Sequence, residues 1–310
     1  MTATPTLEEA RRRDGAFAVG PEGMESRLRD IHWRRKYLLM DMTSEMVGEW
    51  LQVTDTILLP AGSTEQHGAH LPLGTDAYQA MLMACAIAER ANVPIAPLVW
   101  AGLAPYHMGR PGTITLRYET YVSLVSDICR SLIHHGFNRI IISLNHKGNA
   151  AAMAHIARKV RYETGALVVV LRGEGLLGKE MQDLFTFPES EKRQKVRHGG
   201  ELETSRVLYW NPGLVDMSRA EPHPMVTPGH FPSSFKALSH EYVAFDEGEL
   251  ELPLDFDEVA SAGTLGNPRQ ASFEAGRVLT EKVADYYTRA IEEIKKIPVQ
   301  VKRREFDERL

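Results

Sequence analysis

Cysteine is nearly missing from this chain. Only Cys85 and Cys129 occur in 310 residues, and both fall in stretches of helical periodicity, away from other ligand-type side chains. Two thiols cannot build a disulfide framework, and the paired spacing of a zinc finger is absent. Both are expected to be reduced and buried, as in a reducing compartment. Also missing is any run of about 18 apolar residues, which argues against a transmembrane helix. The opening MTATPTLEEARRRDGAF has no apolar segment after its charges and does not read as a signal peptide, so a cytoplasmic location is expected. An excess of positive charge is lacking too. The 36 Lys and Arg are outnumbered by 41 Asp and Glu, giving a net charge of −5, which disfavours a nucleic-acid partner. No internal repeat is visible. What remains is a globular chain of average composition, with a small molecule as its expected partner.

Residues 1–40 read as an amino-terminal extension: a polar arm closed by Gly20-Pro21, then a basic amphipathic stretch over 23–40 that suits one helix. Residues 41–300 read as one domain and 301–310 as a tail. From Thr43 the pattern is regular. Helices are expected over 44–53, 77–91, 119–135, 149–164, from about Gly200 to before Pro212, and from 270 to 297. Between them lie continuous apolar runs at 56–60, 94–100, 139–144 and 166–171. Helices alternating with continuous apolar runs predict an α/β fold, a parallel sheet covered by helices on its faces. Residues 212–268, rich in Pro, Gly and His, read as long functional loops.

The polar residues fall at the strand ends. After 56–60 comes AGSTEQHGAHLPLGTD; after 94–100, AGLAPYHMGRPGT; after 139–144, NHKGN; after 166–171, RGEG. Ligands of parallel α/β sheets bind outside the strands' carboxyl ends, so four sequence-distant loops can converge. Glu65, His67, His70 and Asp76 lie within a dozen residues. Mixed carboxylate and imidazole ligands suit zinc, manganese or iron. Glu65 and His67, two apart in an extended segment, point the same way. Asp76 can return to them because Pro72 and Gly74 turn the chain, and its two oxygens could bridge two ions. His146 shares the sheet edge. Arg197-His198-Gly199-Gly200-Glu201-Leu202-Glu203 opens a helix. Acids in a first turn also suit the helix dipole, but the adjacent histidine and glycines favour a site.

The string LLPAGSTEQHGAHLPLGTD resembles the signature of the creatininase (creatinine amidohydrolase) family. Further matches follow in order: His107 with Pro111-Gly112-Thr113, Asn145-His146-Lys147-Gly148-Asn149, His198 to Ser205, and Gly266-Asn267-Pro268. Together they cover about residues 43–290. The resemblance implies a three-layer α/β fold, a homo-oligomer and two divalent ions (Zn, Mn or Fe) per chain, held by Glu65, His67, Asp76 and His146 with Asp76 as the bridge. It implies a catalytic role for His198. The family's glutamate two residues after the matched histidine is Gly148 here, so Glu201 is expected as the fifth ligand and as part of the catalytic set, with His107 or Lys147 stabilising the oxyanion. Arg110 and Lys147 depart from the family pattern. With Asn149 and Thr113 they are expected to contact a hydroxylated or anionic substrate. The implied activity is metal-dependent hydrolysis of a C–N bond in a small, polar, cyclic substrate. The alternatives are C–C ring opening of a 3-dehydro-scyllo-inosose type of ketone, and a non-catalytic metal-binding protein.

Overall fold

The computed structural model describes residues 23–172 and 198–306. The arm at 1–22, most of the RGEG loop, Arg197 and the last four residues of the tail lie outside these. Three of the four apolar runs pair as parallel strands: β1 (Thr56–Ala61), β2 (Arg139–Leu144) and β3 (Leu167–Arg172), in the order β1-β2-β3. Their register sets Leu58 against Ile141 and Ile141 against Val169. Alternate residues then serve opposite faces. Leu58, Ile141 and Leu171 pack with α3 (Thr75–Ala91) and α8 (Phe273–Lys295). Ile57, Leu59, Ile140 and Ile142 pack with α4 (Tyr118–His135) and α5 (Ala150–Thr164). The expected three layers are present.

The fourth run, 94–100, lies along the free edge of β1 but forms only bridges, Leu58 to Ile95 and Ala61 to Val99. The amide of Leu58 donates to Pro94 O and that of Ala96 to Leu58 O. The next rung would need an N–H from Pro60, which has none. Pairing resumes one residue out of step, with Val99 N donating to Pro60 O and Gly62 N to Val99 O.

Two further expectations change. The basic stretch 23–40 is not one helix. Asp30 accepts from the amides of His32 and Trp33, which ends the turn Met24–Arg29 and caps α1 (Ile31–Tyr37). This extension packs on the domain through Met24 and Tyr37 and an Arg27–Glu89 ion pair. The 212–268 stretch is also not all loop. It holds an antiparallel sheet, β4 (Phe235–Ala237), β5 (Tyr242–Phe245) and β6 (Gly248–Glu251), whose strands are too short to show a period. The short α7 (Phe256–Val259) follows. Thr43 caps α2 (Ser44–Val53) and Ser272 caps α8. The tail is tied down as far as Arg304, with Lys302 N donating to Thr164 O. Cys85 and Cys129 are free and buried, and burial pushes both thiols up to about 12. No helix of the described residues is long and apolar enough to cross a membrane.

The topology also places the site. From β1 the chain runs into α3 on one face; from β2 it runs into α5 on the other. The crevice between the carboxyl ends of β1 and β2 is therefore the switch point of the sheet, where such folds bind ligands.

Two glycine substitutions should separate helix propensity from packing. A Cβ on Gly48, in α2, meets nothing within 4 Å, whereas on Gly276, in α8, it would lie 1.9 Å from the carbonyl oxygen of Ser205. Gly48→Ala should stabilise by roughly 0.5–1 kcal/mol. Gly276→Ala should destabilise by roughly 1–3 kcal/mol, because α8 must move away from α6 (Glu201–Trp210). Denaturant midpoints decide; equal shifts of one sign would contradict the packing.

Candidate metal centre

The loop that leaves β1 is folded back on itself. Glu65 N donates to Leu73 O, and the Thr75 hydroxyl donates to Pro72 O. Gly62 lets the start of α3 press against the strand end, since a Cβ there would lie 2.6 Å from Ala77 Cα. Asp76, in the first turn of α3, is thereby returned beside Glu65. The other strand end is stapled to this loop by Asn149. Its Oδ1 accepts from Leu103 N and its Nδ2 donates to Gly62 O, both at 2.9 Å.

His146 Nδ1 lies 3.2 Å from Glu65 Oε2 and 3.0 Å from Asp76 Oδ2. His67 Nε2 lies 3.5 Å from Asp76 Oδ1 and 3.7 Å from Glu203 Oε2. The two oxygens of Asp76 thus face two different histidines. Each ring is oriented by its other nitrogen. His67 Nδ1 donates to Glu65 O at 3.1 Å, and His146 Nε2 donates to Leu103 O at 3.0 Å. Such outer hydrogen bonds are characteristic of metal-ligating histidines.

Three groups of ligand atoms result, each within 4.8 Å: Glu65, Asp76 and His146; His67, Asp76 and Glu203; and Glu65, His67 and His198. Glu65 Oε2, His67 Nε2 and Asp76 Oδ2 are buried without a well-formed hydrogen bond among the described residues. Buried polar atoms normally have partners. Three orphaned ligand-type atoms converging at one place fit the binding of a divalent metal.

Comparison with known proteins agrees. The family model described as creatinine amidohydrolase matches residues 40–291. This chain belongs to the creatininase family. By that membership it is a hydrolase with the creatininase fold. It is 29% identical over 252 residues to creatinine amidohydrolase of Pseudomonas putida, covering 76% of this chain and 88% of that one. It is 26% identical to 3-dehydro-scyllo-inosose hydrolase of Thermotoga maritima, covering 82% of each. It is 32% identical to the mycofactocin precursor peptide peptidase of Mycobacterium ulcerans, covering 80% and 87%. A Zn–Zn form of a creatininase mutant superposes with a TM-score of 0.63 at 25% identity, over 84% of this chain and 98% of that one.

Several side chains of this creatininase-family site lie elsewhere than expected. Glu203, not Glu201, reaches His67 and Asp76. Two residues apart on a helix face nearly opposite ways, so only one first-turn acid can face the crevice. The four side chains expected to touch substrate are engaged by the protein. Arg110 pairs with Asp257 at 2.7 Å and donates to Ser261 O. Lys147 pairs with Glu241 at 3.0 Å. Thr113 Oγ1 accepts from Gln66 N, and Asn149 forms the staple. Arg110 and Lys147 thereby pin the 240–261 segment over the site. His70 is held by Thr204 at 3.0 Å.

Other residues were missed by sequence reasoning. Tyr106 OH lies 3.5 Å from His146 Nε2. His67, His198 and His107 stack in a column, with centroids 4.0 and 4.4 Å apart, and Phe256 covers its edge. His240 packs on Tyr106 at 4.1 Å. It is buried, and neither ring nitrogen has a hydrogen-bond partner among the described residues. Its only sequence signal was a place in a His-rich irregular stretch.

Charge is tightly coupled here. Burial alone would raise the Glu65 carboxyl, but the His146 and His107 imidazoles outweigh it and bring it down to about 2. Burial would also raise Asp76, yet His67 and His146 hold it well below the carboxylate range. Burial opposes charge on the rings as well, but Asp76 carries His67 up to about 10, and Glu65 with Asp76 carries His146 up to about 9. Burial keeps His198 and His107 low and neutral. In the metal-free protein at pH 7, His67 and His146 therefore hold protons where a metal needs lone pairs. Metal binding that engages both rings should release about two protons, and apparent affinity should climb with pH until about 9 to 10. Calorimetric titration of metal-free protein with Zn²⁺ in buffers of different ionisation heat measures this. Identical heats in all buffers would contradict it.

Proposed function

We propose that this protein hydrolyses a C–N bond of a small polar substrate, with two divalent ions (Zn, Mn or Fe) held by Glu65, His67, Asp76, His146 and Glu203. The observation that carries this reading is Asp76, whose two buried oxygens face two separate ligand groups. Ions bound there would supply acidified water and polarise a carbonyl at neutral pH. The protein does the rest. His198 is neutral, with Nδ1 turned toward Glu65 Oε1 at 3.9 Å, and can take a proton at that atom and pass it to the leaving nitrogen. His107 and Tyr106 line the same crevice. Phe256 keeps bulk water from the histidine column. His240, whose nitrogens have no hydrogen-bond partner among the described residues, offers a donor and an acceptor to a substrate's polar groups.

Ring opening of a cyclic polyol ketone by C–C cleavage is the second reading. It is favoured by the similarity to the inosose hydrolase over 82% of each chain. The proton from His198 would then go to carbon. A non-catalytic metal scaffold has less support, since it has no use for a neutral, base-like imidazole beside the ligands.

Elemental analysis with a substrate screen tests the proposal. Wild type should hold about two ions per chain. Glu203→Gln and His146→Ala should fall to about one or fewer, while Glu201→Gln should keep its metal. Wild type should turn over creatinine, another cyclic amide, or a peptide amide; turnover confined to 3-dehydro-scyllo-inosose would select the second reading. His198→Asn should retain metal yet lower kcat by roughly 10²- to 10⁴-fold. A wild type that binds no metal after reconstitution would sink the proposal.

A further inference from the structure

The roles of the atoms around Gln66 follow from what each neighbour is able to do. Gly68 N lies 3.1 Å from Gln66 Oε1. A backbone amide only donates, so the oxygen of the side-chain amide must be the atom facing it. Gly68 adopts a left-handed φ of 74°, and a Cβ there would strike Thr264 Cγ2, so the position of this amide depends on glycine. The nitrogen of Gln66 then falls 2.9 Å from His107 Nδ1. An amide nitrogen only donates, so Nδ1 must accept. A neutral imidazole that accepts at Nδ1 carries its proton on Nε2, the atom 3.3 Å from Glu65 Oε1.

His198 is fixed differently. Its Nε2 lies 2.6 Å from the backbone carbonyl oxygen of Gln66, a separation that requires an N–H between them. Its Nδ1 is left bare, toward the same oxygen of Glu65. One carboxylate oxygen is thus faced by an N–H from His107 and by a lone pair from His198. Gln66 Nε2 also lies 3.3 Å from His198 Nε2, but that nitrogen already turns its N–H to the main-chain oxygen of Gln66 at 2.6 Å, so the side-chain amide has an acceptor only in His107 Nδ1.

We propose that Gln66 is a positioning residue that locks His107 as the hydrogen-bond donor to Glu65. The lock itself stands on geometry; only its catalytic consequence rests on the hydrolase mechanism proposed above. Its effect is that His107 holds the Glu65 carboxylate in place through Nε2.

Side-chain proton–nitrogen correlation spectra test this on full-length, zinc-supplemented protein labelled with ¹⁵N in histidine. The two rings are assigned by His107→Asn and His198→Asn. In the wild type both rings should be protonated on Nε2 and bare on Nδ1. In Gln66→Glu, a carboxylate that cannot donate faces Nδ1, so His107 should gain a proton there while His198 stays unchanged. Gln66→Leu should give His107 a mixture of both tautomers. Because Gln66→Glu nearly preserves shape, it keeps the test open if the leucine variant fails to fold. A wild-type His107 protonated on Nδ1, a His107 signature unmoved by Gln66→Glu, or an equal change in His198 would overturn the proposal. These spectra from a chain that holds no zinc would support the lock and remove the metal reading alone.

Discussion

Burying an ionised carboxylate costs several kcal/mol unless a compensating charge comes with it. Here Glu65 and Asp76 are both nearly inaccessible and share the neighbour His146. Neighbouring anions should drive one of them neutral, yet both stay ionised, because His67 and His146 take up protons far above the usual imidazole range. The rings stand in for cations. The surroundings serve the same need: carbonyls of Glu65 and Leu103 orient the imidazoles, and Asn149 holds the two strand ends at the spacing that lets Asp76 span both groups.

This arrangement draws on the whole sheet. The switch point exists because the connections from β1 and β2 leave on opposite faces, and those faces are fixed by the alternation of Ile57, Leu58 and Leu59 into two separate cores. A one-residue slip of β1 would exchange the cores and carry Glu65 away from His146. The position of the carboxylates is therefore set by apolar side chains that never touch them.

The strand ends were legible in the sequence because continuous apolar runs closed by His, Glu and Asp can hardly be read otherwise. Four of the proposed ligands, Glu65, His67, Asp76 and His146, could be put forward for that reason, with family resemblance behind them. Which first-turn acid joins them could not. Glu201 and Glu203 are equivalent as residue types, and only the roll of α6 about its axis decides which one enters the crevice. That roll depends on the close packing of Gly276 against Ser205, a long-range contact. The β4–β6 sheet was hidden because three- and four-residue strands show no period. Arg110 and Lys147 were read as substrate contacts because they are cationic and near the site; their partners, Asp257 and Glu241, lie about 150 and 95 residues away along the chain.

Those two ion pairs are partly exposed, and pairs of that kind contribute little on their own. The segment they pin is held mainly by Phe256, Val259 and Leu265, which form a small core of their own. The segment thus covers the crevice through a few apolar contacts and weak electrostatic ties. It brings His240 with it, a buried ring with neither nitrogen satisfied among the described residues, and leaving such a group unpaired costs roughly 1–3 kcal/mol. The orphaned atoms of Glu65, His67 and Asp76 bear a comparable penalty that a cation would relieve. Among the described residues His240 belongs to none of the groups that could hold a metal, so a cation there would not relieve it. A polar ligand entering the same crevice would meet both needs at once, with its carbonyl toward the carboxylates and a second polar group toward His240.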